Sequence, residues 1–219
     1  MDRKTHDGAK VYTPLTLKLY DWWVLSVSNR FAWRCETDKY LLPHFLKNLG
    51  SCHLDIGVGS GYYLTNIPEA CSLTLMDLNE NSLMTAASRA GDTRELHTVR
   101  HDVFEPFPGE LKEKFDSVSL FYLLHCLPGT MQDKASVIQH AAEALTENGI
   151  LSGATILTGR VKHNAFGHKL LKIYNQKGIF SNQNDSAEAL HTILSASFHN
   201  VSISVVNTVG LFSASKKRQ

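Results

Sequence analysis

The stretch HLDIGVGSGYYL, residues 53–64, decides how this chain folds. A short apolar run holding one acid, Asp55, is followed by Gly57, Gly59 and Gly61 at every second position. Glycine loses more backbone entropy on folding than any other residue. Three in so short a span therefore mark a sharp turn or a close approach of the backbone to another body. Open parallel sheets bind ligands beyond the carboxyl ends of their strands, and the first strand here runs straight into Gly57.

The rest of the chain supplies the sheet. Apolar strand-like runs at 52–57, 73–77, 96–101, 117–122 and 150–157 alternate with helix-like segments near 62–67, 80–89 and 132–145. That rhythm predicts an α/β fold with a mostly parallel sheet covered by helices on both faces. Beyond residue 157 it changes. Residues 164–174 and 186–197 read as helices flanking NQKGIFSNQND (175–185), which reads as an exposed loop. Near the end, Val201, Ile203 and Val205 alternate with polar residues, and Val209, Leu211 and Phe212 form a second run. Only Asn207 and Thr208 separate the two, too few for a crossover, so these strands must be antiparallel. Residues 1–50 read mainly as helix, with Thr13-Pro14 as a start signal and a second helix over 38–49.

Composition narrows the function. The chain has 219 residues, 43% of them hydrophobic, enough for one large domain and thin for two. With 22 basic against 21 acidic residues the net charge is +1, and no basic face points to nucleic acid. No apolar run nears the roughly 18 residues that span a bilayer, and MDRKTHDGAK lacks a secretory core. Cys35, Cys52, Cys71 and Cys126 form no C-x-x-C pair, which suits free thiols in the cytoplasm. His97 and His101 share a strand face but lack a third ligand, so no metal is expected.

Two ligand classes fit a glycine loop of this kind: dinucleotides and S-adenosylmethionine. The dinucleotide fingerprint G-x-G-x-x-G needs a glycine where this chain has Tyr62. Asp77 ends the next strand, where a carboxylate can accept both hydroxyls of a ribose. An acid before Asn-Glu-Asn could equally cap a helix. Asp102, in His101-Asp102-Val103, could accept from an adenine amine or simply make a turn.

Taken together, the sequence resembles the class I S-adenosylmethionine-dependent methyltransferases. LDIGVGSG is similar to their first motif, MDLNENSL to the second, HDVFEPFP to the third and FDSVSLFYLLHCLPG to the fourth. ENGILSGATIL resembles the strand that follows. The resemblance covers 50–215. It implies a Rossmann-like seven-stranded sheet with an antiparallel last strand (51–219) beneath an N-terminal helical cap or lid (1–50). YTPLTLKLYDWWVLSVSNRFAWRC and GIFSNQND resemble a subgroup of small bacterial and fungal natural-product enzymes.

The resemblance also implies roles. Asp55 would orient the loop and the amino group of the methionine part, and Gly57, Gly59 and Gly61 would let the backbone lie against it. Asp77 would hold the ribose, with Leu78 or Asn79 beside the adenine and Asp102 and Val103 flanking it. Phe121 and Tyr122 would lie near the methionine chain. Tyr20, with Tyr12 and Trp33, is a candidate for closing over the cofactor, while Trp22, Trp23 and Trp33 equally fit a core. His125 is the first candidate for a general base, ahead of His163 and His168 in the lid. The expected partner is a small-molecule acceptor, with no nucleic acid and no membrane insertion; a homodimer is left open. Alternatives are a protein of this fold that binds the cofactor but cyclises or only binds a ligand, and a nicotinamide-dependent oxidoreductase.

Overall fold

The computed structural model describes residues 21–91 and 95–218, with side chains from residue 26 onward. The calls on Tyr12, Thr13-Pro14 and Tyr20 lie outside the described residues, as do the side chains of Trp22 and Trp23. Seven strands form one sheet in the order β3-β2-β1-β4-β5-β7-β6. They are β1 (Cys52–Ile56), β2 (Ser72–Asp77), β3 (Leu96–Arg100), β4 (Phe115–Phe121), β5 (Leu145–Ile156), β6 (Phe198–Val206) and β7 (Val209–Lys217). β1 to β5 pair in parallel with one another, and β7 runs antiparallel between β5 and β6. The short Asn207-Thr208 link produces this: the chain can only fold back on itself there, and Asn207 takes a positive φ of 54°.

Two apolar layers cover the sheet. On one face Leu54, Ile56, Val118 and Leu120 pack under α3 (Ala135–Ala144) and α5 (Ala187–Ser197). On the other, Leu73, Leu75 and Phe121 meet α1 (Leu42–Lys47), α2 (Glu80–Ala90) and α4 (Ala165–Gln176), with Trp33 among them. The helices start where side chains replace missing backbone partners. Asn79 accepts from the N–H groups of Asn81 and Ser82 at the start of α2. Asn164 accepts from Gly167 for α4, and Ser186 from Ala189 for α5. Ahead of α1, residues Asp21–Ala32 and Thr37–Leu41 wind with the wider π-type pairing. The hairpin turn closes the molecule onto this segment: Thr208 Oγ1 donates to Trp33 O (3.0 Å) and Asn207 Nδ2 to Arg34 O (2.9 Å). Among the described residues no helix is long and apolar enough to cross a membrane.

Three expectations change. The segment 62–67 is not a helix but a single 3₁₀ turn, Tyr62–Asn66, because Ile67-Pro68 halts it after five residues. Its end offers no helix dipole to an anion. The tail SKKRQ (215–219), whose composition reads as a solvated end, is tied down as far as Lys217: β7 continues to that residue, whose Nζ bonds Glu113 (2.8 Å) and Leu145 O (3.0 Å). The loop 175–185 is exposed only in part: Gln176, Lys177, Gly178, Gln183 and Asn184 face solvent, but the segment is anchored inward. Phe180, Asn182 and Asp185 are buried. Asn182 Nδ2 donates to Ile156 O, and its carbonyl accepts from Thr158 Oγ1. Lys134, fully buried at the foot of α3, donates to Ser181 O (2.8 Å) and Asp185 Oδ2 (3.0 Å). Asn175, Ser181, Asn182 and Asp185 thus bond the protein, while the polar residues between them face water.

Removing one member of a buried ion pair strands the other charge, at a cost of about 3–5 kcal/mol. Lys134→Met should therefore lower the unfolding free energy measured by urea titration by that amount, and Lys134→Met combined with Asp185→Leu should recover most of it.

Candidate functional site

The site lies where the strand order reverses, between β1 and β4. Chains leaving these two strands turn in opposite directions there and leave a crevice. The three glycines of the β1 loop all have positive φ (74°, 53° and 73°) but serve different needs. A Cβ at Gly57 would stand 2.8 Å from Leu123, and one at Gly61 would stand 2.7 Å from the Ala86 backbone of α2. Both glycines are required by packing. At Gly59 nothing among the described residues lies within 4 Å. That position is bare toward open space, which is what a backbone shaped to receive a ligand would show.

Two carboxylates border this space. Asp55, from β1, is buried and accepts a short hydrogen bond from Ser119 Oγ of β4. Behind it runs a relay that the sequence reading missed. Gly50 N–H donates to Ser117 Oγ (2.8 Å), which lies 2.6 Å from His53 Nδ1; His53 Nε2 lies 3.0 Å from Ser119 Oγ. Each hydroxyl has one proton, so the direction follows by counting donors. Ser117 gives its proton to Nδ1, Nε2–H donates to Ser119, and Ser119 donates to Asp55. The signal was present as period-two polar letters, His53 and Asp55 against Ser117 and Ser119, on one face of neighbouring strands. Burial pushes the Asp55 carboxyl up to about 6 despite the Ser119 bond, with the Asp77 charge adding to the rise. Burial pushes His53 down to about 3, so it stays neutral.

Asp77 ends β2. It does not cap α2, since Asn79 does that. Its carboxylate instead accepts from the backbone N–H groups of Asn79, Gly59 and Leu78, tying the tip of β2 to the glycine loop. Its carboxyl is also raised, burial outweighing those bonds. Asn79's side-chain oxygen is committed to the cap, so only the rest of that residue is left to meet a ligand. Asp102 Oδ1 is held in a turn by Phe104 N–H (3.0 Å), and Val103 is buried with its carbonyl on His140 Nδ1 (3.1 Å).

At the tip of β4, Phe121 packs against Phe45 and Tyr63 (5.3 and 5.1 Å). Tyr122 takes a φ of +59°, a costly conformation for a bulky residue and one found at constrained sites. Its hydroxyl donates to Asn29 Oδ1 (2.8 Å), and Asn29 Nδ2 donates to Thr37 Oγ1. The strained tip is thereby latched to the N-terminal helical segment. Two buried polar atoms nearby have no hydrogen-bond partner: Tyr63 Oη and Ser28 Oγ.

Residues 54–151 match a family model described as a methyltransferase domain. The chain is 45% identical over 218 residues to the physcion biosynthesis cluster O-methyltransferase of Aspergillus chevalieri, covering 98% of this chain and 97% of that one. The chain belongs to the class I S-adenosylmethionine-dependent methyltransferases. This methyltransferase is also 58% identical over 194 residues to the uncharacterized protein YbcY of Escherichia coli strain K12, covering 89% of this chain and 100% of that one. Among solved structures it resembles the N-methyltransferase NodS of Bradyrhizobium japonicum in complex with S-adenosyl-L-homocysteine. The TM-score is 0.57 at 17% identity, over 80% of this chain and 83% of that one, a likeness of fold.

The methyltransferase's own residues fit its donor. The bare Gly59 backbone, a carboxylate on either side and an unpartnered hydroxyl answer a ligand with an ammonium, a carboxylate and a sugar diol. Among the described residues no group of three or more His, Cys, Asp or Glu could hold a metal ion.

His125 does not have the geometry expected of a base. Its Nδ1 lone pair faces the Ile156 N–H (3.3 Å), which leaves Nε2 carrying the proton. The ring is buried edge-on to Phe180 (4.5 Å) and Tyr122 (5.3 Å). Burial, with some help from the Lys134 charge, pushes its pKa down to about 3. The physical reason is the loop 175–185, which covers it: Ser181 N–H donates to His125 O. His163 is buried too, donating from Nε2 to Leu157 O (2.8 Å), with its ring 5.6 Å from that of His168.

The Asp55 environment has a measurable consequence. Its carboxyl is near 3.8 when unfolded and about 6 when folded, so between those values the folded state holds the extra proton. The sign follows: stability falls as pH rises from about 4 to 6 and stays low above. The full difference is about 3 kcal/mol. Urea unfolding of ligand-free protein at pH 4.5 and 7.5 should show this decline, and Asp55→Asn should reduce it while raising stability at pH 7.5.

Proposed function

We propose that this enzyme methylates an oxygen of a small, largely apolar natural-product intermediate. The reading is supported by the Aspergillus relative, described as an O-methyltransferase of a biosynthetic cluster. The observation that carries the site assignment is the open backbone at Gly59, set between Asp55 and Asp77 at the switch point. In this reading Asp55 takes the ammonium of the donor and Asp77 its ribose diol. Leu78, Val103 and Asp102 border the adenine, and Phe121 and Tyr122 line the methionine chain.

S-adenosylmethionine supplies, when bound, a methyl group on a cationic sulfur that an acceptor lone pair takes by in-line displacement. The chain's part is to position and to keep water out. Positioning contributes on the order of 7–11 kcal/mol in favourable cases. Phe121 and Tyr122, fixed by the β4 tip and the latch to Asn29, form a rigid wall. Trp33 and Phe180 pack together behind it (6.2 Å), shielding that side from solvent. No proton transfer is assigned to His125, whose lone pair is occupied. The four unpaired cysteines favour a reducing compartment, the cytosol.

A panel of aromatic and polyketide-like acceptors incubated with the methyl donor tests the activity. Product mass should rise by one methyl group in place of a proton, and fragmentation should place it on oxygen. A ring closure without mass gain, or a methyl on nitrogen or carbon, would reject the oxygen assignment.

Two binding measurements probe the site. Gly59→Ala meets no atom of the described residues, so its folding penalty should be only the roughly 1–2 kcal/mol of a positive φ. Its affinity for S-adenosylhomocysteine should nonetheless drop more than tenfold. Gly61→Ala should instead lower thermal stability sharply, since its Cβ meets the α2 backbone. Affinity for S-adenosylhomocysteine should also weaken as pH falls below about 6, by up to tenfold per unit, because a protonated Asp55 no longer attracts an ammonium.

A further inference from the structure

Tyr63 Oη is buried and makes no hydrogen bond. Such an atom forfeits its hydration, a loss of about 1–3 kcal/mol, and calls for a reason. The ring cannot swing out to find water. It stacks on Phe45 (5.2 Å, 22° between planes), sits 5.1 Å from Phe121 and meets Tyr62 edge-on at 5.5 Å. Burial keeps the phenol protonated well beyond its ordinary range, so at working pH it is only a neutral O–H. Cys35, Tyr62, Asp55 and Asp38 are the charged or titratable groups it feels. Asp55 is therefore within electrostatic reach, yet its Oδ1 takes its proton from Ser119.

The site thus presents two opposite requirements within electrostatic reach of each other. Asp55 is a desolvated acceptor that lacks a cation. Tyr63 is a desolvated donor that lacks an acceptor. An α-amino acid zwitterion satisfies both at once, ammonium on one and carboxylate on the other, and the methionine end of the donor is such a zwitterion. We infer that Tyr63 receives the carboxylate of the donor's methionine part and, paired with Asp55, selects for ligands that keep both charges. The inference rests on the cofactor assignment above and names a residue for an end of the ligand that assignment left open. Ser28, the other unpartnered hydroxyl near the N-terminal segment, is the competing candidate. Tyr63 is preferred because its ring packs on Phe121 at the tip of β4.

The test compares two ligands by isothermal titration: S-adenosylhomocysteine, and S-adenosyl-3-thiopropylamine, which lacks only the carboxylate. Wild-type protein should bind the first at least tenfold tighter. Tyr63→Phe, which keeps the ring stack, should lose about tenfold for the first ligand and less than twofold for the second. Its melting temperature without ligand should equal or exceed that of wild type, because an unpaired buried hydroxyl is gone. Equal losses for both ligands, no loss for either, or a carboxylate-selective loss in Ser28→Ala instead would overturn the inference. Wild-type protein that fails to discriminate between the two ligands would overturn it without any variant. Wild-type protein that binds neither would remove the cofactor assignment itself.

Discussion

A single desolvated carboxylate organises this molecule. Asp55 stands on β1, beside the point where the topology reverses, and its carboxylate carries an unfavourable burial energy. The surrounding residues limit that energy without cancelling it. Ser119 supplies one hydrogen bond, and His53 and Ser117 hold Ser119 in the orientation that makes it. A chain that simply maximised stability would place an apolar residue there, as it does on the opposite sheet face with Leu54 and Ile56. Under the proposed assignment, the retained acid serves binding at the expense of the fold.

The rest of the architecture can be read as support for that position. Gly57 and Gly61 let Leu123 and α2 press close, which fixes the loop path so that Gly59 faces outward. Asp77 reaches back to the Gly59 N–H and thus joins the second acid to the same loop. On the far side of the crevice, the Tyr122–Asn29–Thr37 chain holds the N-terminal segment against the β4 tip. Methyl transfer from a sulfonium disperses charge and needs no strong electrophile from the protein, so rigidity and dryness matter more here than an acid–base pair. The burial of His125 under Phe180 agrees with that division of labour.

The loop 175–185 shows how polar letters mislead. Asn175, Ser181, Asn182 and Asp185 look like solvent residues, and their composition alone says loop. In the fold the side chains of Asn182, Ser181 and Asp185 meet the carbonyl of Ile156, the carbonyl of Gly129 and the ammonium of Lys134. Polar side chains are as suitable for capping exposed backbone at the end of a buried strand as for facing water. Only the neighbours decide which.

What the sequence by itself determined is what depends on local pattern and short-range geometry. The alternation of strand and helix, the turn forced by three glycines, the acids at the ends of β1 and β2 and the antiparallel closing hairpin all follow from residue type and spacing. What only the tertiary structure decided depends on pairing across distance. Whether His125 keeps a free lone pair and which hydroxyls meet His53 depend on residues tens of positions away. Sequence periodicity records which face a residue is on, but not what stands opposite. The different duties of Gly57, Gly59 and Gly61 are the clearest instance. Identical in type and spacing, they are told apart only by whether Leu123, Ala86 or empty space lies within 4 Å.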